Sequence, residues 1–104
     1  MMQTFDVVAT CEIHCEWWHC EPRYRLYVGN ELFAERTWIW NNMHLEEMLT
    51  VRGVAGRYPV RLENVDADHS VFKLRNLRIT AGPGVIANDG SIQIYVPETA
   101  NDPE

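Results

Sequence analysis

From Phe5 onward the chain alternates with a period of two. Phe5, Val7, Ala9, Cys11 and Ile13 fall on one side, and Asp6, Val8, Thr10, Glu12 and His14 on the other. Successive side chains of a strand point to opposite faces, so this run predicts a half-buried strand with one clean apolar face. Once a chain opens in this way, the apolar face needs a second layer to cover it, and the rest of the sequence supplies more strands.

Residues 15–22 break the alternation with a Trp pair and a proline, which predicts a loop. Tyr24, Leu26 and Val28 then alternate with Arg23, Arg25 and Tyr27. Gly29-Asn30 suits a tight hairpin, because both residues tolerate positive φ. The returning strand is expected over residues 31–40. Leu45, Leu49 and Val51 suggest a further strand, although Leu45-Glu46-Glu47-Met48-Leu49 also fits a short helical turn. Residues 57–65 alternate again around Tyr58, Val60 and Leu62, and Pro59 favours an edge or a bulge because it lacks a ladder donor. Phe72 and Leu74 share one parity while Leu77 and Ile79 share the other, so a bulge near Arg75-Asn76 is expected. Gly82-Pro83-Gly84 and Asn88-Asp89-Gly90 mark turns around short strands. The expectation is an all-β, single antiparallel β-sandwich, jelly-roll-like, of about seven to eight short strands. It spans residues 1–96 and is followed by an acidic polar tail over residues 97–104.

Length and charge bound the function. At 104 residues, one core is the default. A net charge of -6, with 15 acidic and 9 basic residues, argues against nucleic acid as a partner. No apolar run approaches the roughly 18 residues that span a bilayer, so no membrane partner is expected. The first residues lack the basic start and apolar stretch of a signal peptide, and three cysteines make a poor disulfide framework. The chain therefore reads as made and kept in a reducing cytoplasm.

Few constellations suggest chemistry. Cys11, His14, Cys15, His19 and Cys20 are zinc-type ligands at the wrong spacing, and Cys11 and His14 fall on opposite strand faces. Their ordinary reading is a core cysteine followed by loop residues. A Cys–His nucleophile built from Cys15 or Cys20 with His14 or His19 lacks an orienting group. Asp66 and Asp68 resemble the start of a calcium loop, but Val71 and Leu77 occupy its glycine and glutamate positions; an Asx-type turn is the plainer reading. The chain is thus read as a non-enzyme with no cofactor. The four tryptophans exceed what one small core consumes, so Trp17, Trp18, Trp38 and Trp40, with Arg36, form the expected partner-binding set. Arg36 suits a bidentate pair with a carboxylate of the partner or of its own Glu35 neighbourhood, and equally suits an exposed strand position.

The stretch from Tyr24 to Trp40, centred on Glu35-Arg36-Thr37-Trp38, together with Phe72-Lys73-Leu74-Arg75-Asn76, resembles small virion proteins of marine tailed phages. The scaffold is also similar to jelly-roll calcium-dependent carbohydrate-binding modules, although Gly29-Asn30 stands where those carry an Asp-Gly turn. The first resemblance implies a capsid decoration or cement protein in the virion, made in the host cytoplasm. Its partner would be the major capsid protein or another virion protein, and it could form a homo-oligomer. The second implies a glycan ligand, with Asp66 and Asp68 as the only carried-over metal ligands.

Overall fold

The computed structural model describes residues 3–39 and 44–97. These form nine strands and no helix: β1 (Phe5–Trp17), β2 (Arg23–Val28), β3 (Glu31–Thr37), β4 (His44–Gly53), β5 (Gly56–Tyr58), β6 (Val60–Asn64), β7 (Ser70–Ala81), β8 (Gly84–Ile86) and β9 (Ile92–Ile94). Three antiparallel sheets result, ordered β4-β1-β7, β3-β2-β6 and β5-β9-β8. The first two face each other as a sandwich, and the third covers the end where β1 begins. The segment at 45–49 is strand and not a helical turn.

The expected strand count of seven to eight rises to nine because Pro59 divides one run in two. Lacking an N–H, it ends β5 in the third sheet and lets β6 begin in the second. Its carbonyl still accepts from Gly29 N at 2.8 Å, which ties the break to the hairpin between β2 and β3. In that hairpin only Gly29 takes positive φ, at 62°, while Asn30 does not. The Cys15–Pro22 loop is also shorter than expected: β1 continues through Trp17, which pairs with Ser70.

The parity change along β7 is resolved as the sequence suggests. Glu12 faces Arg75 and Thr10 faces Arg78, so Asn76 and Leu77 together oppose Cys11 alone. Asn76 takes φ 58° at this bulge. Phe72, Leu74, Leu77 and Ile79 consequently all pack on the core. A second shift between Val8 and Ala9 brings β7 to Gly82, whose φ of 89° and closeness to the Asp6 carbonyl leave no room for a Cβ.

The core is built from alternate residues of the two central strands. Val7, Ala9, Cys11, Ile13 and Cys15 of β1 are buried, as are Tyr24, Leu26 and Val28 of β2. Ile92 and Ile94 of β9 close one end. Each fully buried aliphatic side chain of this kind contributes about 1.5–3 kcal/mol.

Candidate functional site

The sequence-expected contact residues scatter into different roles. Trp38 is a correction: it is fully buried, not a surface anchor. It lies just past β3, where its N–H donates to the Pro22 carbonyl at 2.7 Å. Its ring sits edge-on to Phe72 at 6.0 Å and 6.4 Å from Tyr24. Burying so large a ring between the sheets is worth more than displaying it. Trp17 is half-buried and packs against the core. Trp18 is 47% exposed, and its N–H donates to the His69 carbonyl at 3.0 Å. Trp40 lies outside the described residues.

Arg36 takes an exposed strand position, one of the two readings its sequence allows, with half of its side chain in water. It does form a bidentate carboxylate pair, but with Glu47 of its own chain: Nε donates to Oε2 at 2.5 Å and Nη2 to Oε1 at 3.1 Å. Glu47 is an acid within the inward register of β4, beside Leu49 and Val51, and is only 3% exposed. The Tyr24 hydroxyl also donates to Glu47 Oε2. Burial, then the Glu47 bond, pushes the Tyr24 phenol well above its ordinary range, so it remains a donor. The cluster joins β2, β3 and β4 and locks the two sheets together. Sequence reasoning missed it, although the parity of Leu45, Leu49 and Val51 already assigned Glu47 to the inner face.

Asp66 and Asp68 form a turn. Asp66 accepts from the Arg23 backbone N–H at 2.7 Å and lies 3.8 Å from the Arg23 guanidinium. Asn64 and Ser70 brace the same turn through a 3.1 Å bond. Among the described residues, no three His, Cys, Asp or Glu side chains converge to hold a metal ion. Cys11 and Cys15 are buried, and burial raises both thiols to about 11, so they remain protonated and inert. The exposed Cys20 thiol lies 3.2 Å from His69 Nε2, not from His14 or His19.

The polar outer face of the β4-β1-β7 sheet holds an open cleft of about 460 Å³, lined by His14, Glu16, His44, Val71, Lys73 and Arg75 over Cys15. Strand pairing creates it: His14 is in register with His44 on one side and Lys73 on the other. The two imidazoles stack at 5.1 Å with an interplanar angle of 15°. His14 Nε2 lies 3.0 Å from Glu12 Oε1, and Asn76 Nδ2 donates to Glu12 Oε2 at 3.2 Å. These two bonds, His14 first, hold the Glu12 carboxyl below its usual range. Arg75, the register partner of Glu12, makes no ion pair with it. Val71 at the cleft rim is 42% exposed. No family model, curated protein or solved structure matches this chain.

Proposed function

We propose that this domain works by docking onto a larger protein assembly, as a capsid decoration or cement subunit of a tailed-phage virion, without catalysing a reaction. The observation that carries the reading is the end of the sandwich where β1 finishes. There Val71 stands at the rim of the cleft that Lys73 and Arg75 line, and the exposed Trp18 follows β1, its backbone N–H bonded to His69 two residues before Val71. Half-exposed aromatics beside polar groups are the composition of protein contact surfaces. A stiff β-sandwich presents such a patch at little ordering cost, and an overall charge of -6 keeps coated particles apart in solution. The contact set is revised accordingly: Trp18 and Val71 replace Trp38 and Arg36, which the fold itself uses.

The test is cosedimentation of the purified protein with assembled shells that lack it. Saturable binding at a fixed ratio to the shell subunit, weakened by Trp18→Ala, is the expected result. If the protein stays in the supernatant, the docking role fails. A sugar-dependent change in tryptophan fluorescence would then favour the carbohydrate-binding alternative.

A further inference from the structure

The chain has nine Lys and Arg residues, and the fold accounts for seven of them. Arg23, Arg25, Arg36, Arg52, Arg57 and Arg78 each lie within 4 Å of a carboxylate. Arg61 stacks over the Tyr27 ring at 4.1 Å. The two that remain, Lys73 and Arg75, have no such partner among the described residues. Both lie on β7 two positions apart, point to the same outer face, and line the same cleft as the stacked His14 and His44.

In an acidic protein that pairs six of its cations with carboxylates and stacks a seventh on a ring, two in one concavity without such a partner among the described residues are a specific arrangement. We propose that this cleft is an oxyanion site that takes a phosphate monoester or free phosphate. Alternate strand residues stand roughly 7 Å apart, so the long side chains of Lys73 and Arg75 can close on one ligand group. Arg75 supplies a planar fork matched to two phosphate oxygens, and Lys73 a point charge. A phosphate carrying about two negative charges satisfies both, which a single carboxylate cannot. The paired imidazoles, held by the His14–Glu12 bond, form the opposite wall. Among the described residues Glu16 is the one acid on the cleft lining, and it opposes the ligand. The inference stands whether or not the domain decorates a shell.

The test is an NMR titration of the ¹⁵N-labelled protein at constant pH and ionic strength with inorganic phosphate, phosphoserine and acetate. Saturable shifts at His14, His44, Lys73 and Arg75 with either phosphate, and weaker binding of acetate, are expected; the tighter phosphate arm identifies the source. Lys73→Ala and Arg75→Ala should each weaken binding about tenfold, the scale of one charge-assisted bond. Glu16→Gln should tighten it, and Arg61→Ala on the opposite sheet should leave it unchanged. These side chains are on the surface, so an unchanged spectrum from β2, β3 and β6 verifies folding. Acetate matching phosphate, shifts that never saturate, or affinity indifferent to Lys73→Ala and Arg75→Ala would each overturn the site.

Discussion

Arg36 and Arg75 are both strand arginines in an acidic chain, and the fold treats them in opposite ways. Arg36 closes on the buried Glu47 between the sheets, sharing that carboxylate with the Tyr24 hydroxyl. Arg75 stands at an open cleft on the outer face of the other sheet, β4-β1-β7, its register partner Glu12 already bonded to His14 and Asn76. The first region spends charge on joining two layers, and the second leaves charge available. Residue type alone does not distinguish a structural cation from a binding one; what its nearest acid is already doing does.

The contrast breaks most visibly in the interior. Trp38→Ala should cost about 3–5 kcal/mol, because a fully buried ring leaves a cavity beside Tyr24 and Phe72. Chemical denaturation measures this, and a loss below about 1 kcal/mol would place the ring at the surface. Arg36→Ala should cost about 3 kcal/mol, near the low end for stranding a buried carboxylate because the Arg36 side chain is half in water. Pairing it with Glu47→Leu should recover only part of that loss, since the stranded charge is gone but the buried Tyr24 hydroxyl loses its acceptor.

Acid titration sharpens the comparison at smaller amplitude. Asp6, bonded to Arg52, and Glu12, bonded to His14, have carboxyls below their ordinary values of 3.8 and 4.5. A lowered folded pKa means their stabilisation is complete above those ordinary values and is lost as pH falls through the folded ones. Thermal midpoints should therefore drop below about pH 4, with a shallower drop in Asp6→Asn and Glu12→Gln. A midpoint independent of pH over that window would contradict the pairing. Smaller still is the outer face of the β3-β2-β6 sheet, where Arg25 lies 3.0 Å from Glu35 and 3.6 Å from Glu63. Arg25→Ala should barely move the denaturation midpoint, as for other exposed pairs. Lys73→Ala, which breaks no pair, should leave stability unchanged.

Much of the fold was legible because period-two patterns report local geometry. The alternation of β1, the hairpin at Gly29 and the bulge near Asn76 each follow from residues within a few positions of one another, whereas Pro59 suggested an edge or a bulge and divides its run between two sheets. The inward register of Cys15 and Trp17 was also present, since both continue the parity of Ile13, but the Trp pair suggested a loop. The parts of the site that stayed hidden depend on pairing between distant strands. Nothing near Arg36 announces Glu47 eleven residues on, and an acid at an inward position reads as a flaw in the pattern until its partners arrive from β2 and β3. Likewise, His14, His44 and Lys73 meet only because β1 lies between β4 and β7. Trp38 looked available because composition counts tryptophans and cannot say which layer each one enters.

We propose that the outer face of the β4-β1-β7 sheet, at the Trp18 end, is the surface that docks. Hydrogen exchange on the protein, free and mixed with assembled shells that lack it, distinguishes this face from the opposite one. Slowed exchange along residues 13–18 and 70–75, with β2, β3 and β6 unchanged, is the expected result. Protection confined to the β3-β2-β6 sheet, or none anywhere, would contradict it.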